Sequence, residues 1–149
     1  MSPAGNVYAT DYYNHHVLEY SSSGTLIRTW GTAGSGPGQF QNPLGIATDR
    51  AGNVYVADSN NGRVQKFTST GTYVTSFSNA FGLQGPGDLV VGPDGTVVVL
   101  DYQNYIQGRV VRFSSAGAYL GAWALPAGDY SRSGLGMDAF GHVLVADET

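Results

Sequence analysis

The sequence predicts an all-β fold built from repeated four-stranded antiparallel blades, about three to the chain, and three observations predict it. First, Gly5-Asn6-Val7-Tyr8-Ala9-Thr10-Asp11 returns as Gly52-Asn53-Val54-Tyr55-Val56-Ala57-Asp58, as Gly95-Thr96-Val97-Val98-Val99-Leu100-Asp101 and as Gly141-His142-Val143-Leu144-Val145-Ala146-Asp147. The starting glycines at 5, 52, 95 and 141 are spaced 47, 43 and 46 residues apart, close to the period of one β-propeller blade. Second, the apolar runs are short and rich in β-branched and aromatic residues, and no stretch keeps a helical period. Third, 22 glycines with only 12% charged residues suit many tight turns between uncharged strands.

Each unit divides into four extended runs, A to D. In the best-defined unit, A is Gly45 to Asp49, Arg50 to Asn53 is a tight turn, and B is Val54 to Ala57. C is Arg63 to Phe67 and D is Tyr73 to Phe77. Strand C alternates, with Val64 and Lys66 on one face and Arg63, Gln65 and Phe67 on the other. Strands A and B are more continuously apolar, as strands covered on both faces are. The C-to-D hairpin recurs three times: Tyr20, Phe67 and Phe113 lie four residues before Gly24, Gly71 and Gly117, and Trp30, Phe77 and Trp123 lie six residues after. A glycine so placed is expected to hold a positive φ. Length differences fall in a B–C insertion (Gln103 to Gly108) and in D–A connectors (Gly31 to Asn42, Leu125 to Ser133), where loops absorb them most easily.

The chain thus reads as strands B-C-D over residues 5–30, a blade over 43–77, a blade over 87–123, and strands A-B over 134–147. Three blades cannot close a ring, because propellers need about four to eight. An open arc leaves two apolar blade faces larger than a soluble monomer usually shows. The expectation is a homodimer whose two copies close a six-bladed ring, the C-terminal strand A of one copy completing the first unit of the other. The surplus strand B, Val143 to Ala146, then competes with Val7 to Thr10 for one slot. A segment of a longer propeller would need the same cover.

Gly36-Pro37-Gly38-Gln39-Phe40, Pro43 to Ala47, Gly52 to Ser59 and Asn61 to Phe67 together resemble the NHL repeat, and Asn14-His15-His16-Val17-Leu18 is similar to the signature that names it. The resemblance is strongest in the second unit and weakest in the third, where Gly87-Asp88-Leu89 replaces the usual start. It implies a six-bladed propeller used mainly as a binding platform, with some members acting as lyases. The alternative function it carries is a metal-dependent lyase or hydrolase with its site in the central channel.

Composition narrows the partners. A formal charge of −4 and scattered Lys and Arg argue against nucleic acid. No run reaches the roughly 18 apolar residues of a membrane span, and residues 1–4 lead straight into the first repeat without a signal-peptide pattern. The compartment is left open. With no cysteine, a disulfide or thiolate metal site is excluded.

Asp11, Asp58, Asp101 and Asp147 close strand B once per repeat. They read as structural acceptors for backbone N–H groups rather than as an acidic, cation-binding ring. His15 and His16 point to opposite faces if extended, so they do not share a metal, and no cofactor is expected. Gly34, Gly36 and Gly38 lack the Gly-Lys-Ser/Thr of a phosphate loop. No nucleophile elbow is present. The B–C loops are the informative difference between repeats: Tyr12, Tyr13, Tyr102 and Tyr105 offer flat apolar faces with polar tips to a protein, peptide or glycan.

Overall fold

The computed structural model describes residues 5–78, 82–104, 107–126 and 133–146, with only the backbone of Gln103 and Asn104. Strands β1 (Val7–Asp11), β2 (His16–Tyr20) and β3 (Leu26–Trp30) form a three-stranded sheet. Strands β4 (Pro43–Thr48), β5 (Val54–Asp58), β6 (Arg63–Phe67) and β7 (Tyr73–Phe77) form a four-stranded sheet in chain order. So do β8 (Pro86–Val91), β9 (Val97–Asn104), β10 (Gln107–Phe113) and β11 (Tyr119–Ala124). Strands β12 (Gly134–Met137) and β13 (Val143–Ala146) pair as a hairpin. All pairings are antiparallel. In the lettering used above, the strands run B-C-D, A-B-C-D, A-B-C-D, A-B along the chain, and the first three sheets are called blades I, II and III.

Period-2 alternation in blade II explains how the sheets stack. Val54, Val56 and Phe67 face blade I, joining Val17 and Phe40 in one core cluster against which Tyr8 and Trp30 pack. Tyr55, Ala57, Val64 and Phe77 face blade III, where they meet Leu89, Val97, Val99, Val111 and Phe113. Every residue of β5, the second strand of the blade flanked on both faces, is buried. Strand β1, without a blade on its outer side, buries none fully. Phe67 is the hub of the first interface, with ring centroids 5.6 Å from Phe40, 6.0 Å from Trp30 and 6.0 Å from Tyr73.

Two expectations need correction. Strand A of blade II ends at Thr48 and not at Asp49, because the Asp49 carboxylate folds back to accept the N–H of Ala51 (3.0 Å) and Asn53 (2.9 Å). The B–C insertion of blade III is not a loop from Gln103 to Gly108. Both flanking strands lengthen instead, so that Asn104 opposes Gln107 and Tyr102 opposes Gly108. The hairpin glycines behave as the sequence predicts: Gly24, Gly71 and Gly117 have φ of 84°, 81° and 89°. Each closes a turn whose preceding strand residue carries a register shift. The 31–42 connector is ordered, with Phe40 fully buried and its N–H donated to Thr32 O (2.8 Å).

Two stability outcomes follow from these contacts. Phe67→Ala is expected to cost about 3–5 kcal/mol in urea unfolding, because it empties the hub of one interface. Burial raises the pKa of Asp49, but hydrogen bonds from Asn53 and Tyr55 and the charge of Lys66 outweigh it and hold the carboxyl below its usual 3.8. The folded carboxyl therefore binds its proton less readily than the unfolded one. Its stabilisation is present above that value and is lost as pH falls through it. In an acid titration of stability, Asp49→Asn is expected to flatten this loss below about pH 4.

Candidate functional site

The repeated aspartates sit where strand B meets strand C. Asp58 is fully buried and accepts hydrogen bonds from Gln41 N–H (2.7 Å), Asn61 Nδ2 (2.9 Å), Arg63 Nε (2.8 Å) and Gln65 Nε2 (3.0 Å). Arg63 also donates through Nη2 to the carbonyls of Gly36 (2.8 Å) and Gln39 (2.9 Å), and Gln65 Oε1 accepts the N–H of Gly38 (2.9 Å). One carboxylate thus clasps the 31–42 connector to the end of strand B. Asp101 repeats the arrangement in blade III, taking the N–H groups of Gln84 (2.8 Å) and Gly85 (2.9 Å) and pairing with Arg109 at 2.6 Å. Asp58 and Asp101 are both fully shielded from solvent, and each already holds an arginine.

In blade I the arginine position is His16, which opposes Asp11 as Arg63 opposes Asp58. Its Nε2 lies 3.5 Å from the Asp11 carboxylate. The side chain and backbone N–H of Asn14 donate to Asp11 and hold its carboxyl below the usual range, aided by the charge of His16. Asp147 and Tyr105 lie outside the described residues. His15 takes a left-handed φ of 59° and turns Nδ1 to accept the N–H of Asn42 (3.1 Å), well away from the role of its neighbour. Among the described residues no group of three or more His, Asp or Glu converges as a metal site would require.

The tyrosines separate into two kinds. Tyr12 and Tyr13 project from the β1–β2 turn, stacked edge to face with centroids 5.0 Å apart, and Tyr13 is 84% exposed. Tyr102 is half-buried. Its hydroxyl donates to Ser133 O (3.1 Å), and its ring lies so close over Gly87 that no side chain fits there. Burial, together with the Asp88 charge, pushes its phenol up to about 12. Tyr102 therefore braces the connector into β12, and the pair it was grouped with stands on another blade.

Two buried polar side chains escaped the sequence reading. Gln65 is fully buried as part of the Asp58 clasp. Glu19 is 2% exposed, paired with Arg28 (2.8 Å) and accepting from Asn6 (2.7 Å) and Tyr8 (3.1 Å). The available signal was positional: Glu19, Lys66 and Arg112 occupy the same place in strand C, one residue before each register shift.

The inner strands A approach one another closely. A Cβ on Gly45 of β4 would stand 2.7 Å from Asp88 Cα of β8. Asp88 in turn accepts the N–H of Leu135 in β12 (2.8 Å). Strands β4, β8 and β12 thereby border one open concavity of about 410 Å³, lined by Ile46, Thr48, Leu89, Val91 and Met137.

Removing one partner of a buried, hydrogen-bonded ion pair leaves the other charge unmatched. Asp58→Ala is expected to destabilise the fold by about 3–5 kcal/mol in chemical denaturation. Asp11→Ala, at a solvent-open pair, should lose clearly less in the same assay.

The family model of the NHL repeat matches residues 40–67, the segment that runs from the buried Phe40 through β4, β5 and β6. No curated protein sequence matches the chain. Among solved structures, a chain of the nidogen/laminin complex is similar at 23% identity and a TM-score of 0.74, covering 93% of this chain and 51% of that one. A streptogramin B lyase is similar at 16% identity and a TM-score of 0.65 (98% and 52%). The virginiamycin B lyase of Staphylococcus aureus solved with quinupristin is similar at 13% identity and a TM-score of 0.64 (99% and 53%). The chain spans about half the length of these structures, and at such identities the likeness is one of fold. Residues 40–67 match the NHL repeat, within a chain whose fold is similar to that of consecutive β-propeller blades.

Proposed function

We propose that the protein is a non-enzymatic propeller module that completes its ring with a second copy and receives a protein, peptide or glycan on its turn-bearing rim. The observation that carries the reading is a blade divided between the two ends of the structure. Among the described residues, blade I has strands B, C and D with β1 at its edge, while β12 and β13 supply A and B with no C or D beside them. An exposed strand edge with an apolar flank is a template for pairing with another chain. The uncovered flanks carry apolar side chains: Val7 and Leu26 on blade I, and Leu120 and Trp123 on blade III, are each more than 40% exposed.

Two copies of B-C-D, A-B-C-D, A-B-C-D, A supply six full blades under two-fold symmetry. On the rim, the exposed Tyr12–Tyr13 pair offers the flat apolar surface that recognition sites favour.

Sedimentation equilibrium across the micromolar range tests the assembly, with twice the chain mass expected. A single-chain mass throughout overturns it. The rim is tested on peptide and glycan arrays, where Tyr12→Ser/Tyr13→Ser is expected to lose at least about tenfold of any signal the native protein gives, as loss of aromatic anchors does. An unchanged array pattern refutes a role for this pair.

A further inference from the structure

The interfaces inside the chain carry a contact rule that extends beyond it. In blade I, Trp30 ends strand D and lies on the C–D turn of blade II, where a Cβ on Gly71 would stand 3.0 Å from the indole Cδ2. In blade II, Phe77 ends strand D and lies on the C–D turn of blade III, where a Cβ on Gly117 would stand 2.8 Å from the ring. Each turn glycine leaves its side-chain side empty for the aromatic of the preceding blade. The same interface carries a polar contact: Lys66 of blade II donates to the carbonyl of Ser115 in the blade III turn (3.2 Å).

One knob and one hole of this series remain. Trp123, the strand D aromatic of blade III, is 43% exposed. Gly24, the turn glycine of blade I, shares the left-handed conformation (φ 84°) and has nothing within 4 Å of its Cβ position. Beside Trp123 lies a cleft of about 580 Å³ between blade III and the β12–β13 hairpin, lined also by Val98, Arg112, Met137, Phe140 and His142. This is where strands C and D of a further blade would stand. Arg112 occupies the place of Lys66, and Ser22 the place of Ser115.

We propose that the β2–β3 turn of a second copy fills this cleft, with Trp123 seated on that copy's Gly24 and Arg112 donating to its Ser22 carbonyl. The inference rests on the split-blade reading and names the contact that would hold it. It continues the two interblade interfaces already formed within the chain, which is why a second copy is the occupant. Strand β1 of that copy takes the place beside β12 that β13 now holds. The two strands carry the same repeat, and β13 is the weaker claimant, with Leu144 59% exposed and neither strand C nor D beside it.

The chain has two tryptophans, so Trp30→Phe makes Trp123 the sole emitter. Its fluorescence is expected to shift to the blue as concentration carries the protein from one chain to two. Gly24→Asn tolerates the left-handed turn but places a side chain in the hole, and should raise the dimer dissociation constant at least about tenfold. Trp123→Ala, at an exposed position, should do the same without disturbing the single chain's circular dichroism. A two-chain mass with unchanged Trp123 emission and unaltered affinity in both variants overturns this contact and leaves the split-blade reading standing. A single-chain mass at every concentration overturns both.

Discussion

Everything in this structure depends on blades covering one another. A four-stranded sheet of this sequence is apolar on both faces, since Val54 and Val56 point to one neighbour while Tyr55 and Ala57 point to the other. Burial of such a strand requires cover on both faces; blade II has it from blades I and III, and in blade III Val98 and Leu100, which point away from blade II, are covered as well. That single constraint explains why β5 is wholly buried and why β1, with its outer side uncovered among the described residues, is not.

The second layer of order is polar. Connectors between blades have backbone groups to satisfy, and Asp58 and Asp101 do this from the end of strand B, each with an arginine from strand C. In a buried setting the carboxylate and guanidinium must be matched in charge and hydrogen bonds, which accounts for the number of partners around Asp58. Blade I shows the variation: its clasp holds His16 in place of arginine, is partly exposed, and accepts its hydrogen bonds from the local Asn14. Glu19 then collects the donors Asn6 and Tyr8, whose counterparts in blade II, Asn53 and Tyr55, bind Asp49 at the end of strand A. Among the described residues no strand A lies beside β1, and there the same side chains find a different acid.

Much of this was legible in the amino-acid order. Recurrence of Gly-x-Val with a closing Asp located every strand B. The spacing from aromatic to glycine to aromatic located every C–D hairpin and the sign of φ at its glycine. Those features are local: they depend on hydrogen bonds within a few residues and on alternation along one strand. Strand ends were less legible, as at Asp49, where a side-chain acceptor competes with the ladder, and in β9 and β10, where an insertion lengthened strands rather than a loop.

What sequence could not resolve is which like residues share an environment. Tyr12 and Tyr102 follow the same repeated aspartate, yet one stands in solvent and the other lies over Gly87 of β8 and donates its hydroxyl to Ser133 O. Gly24, Gly71 and Gly117 have one conformation and one spacing, yet two are covered by an aromatic and the third is open. Repetition along the chain assigns each residue its conformation and its face. Its partners are set by the neighbouring sheet, and that depends on contacts between residues dozens of positions apart, which no local pattern records.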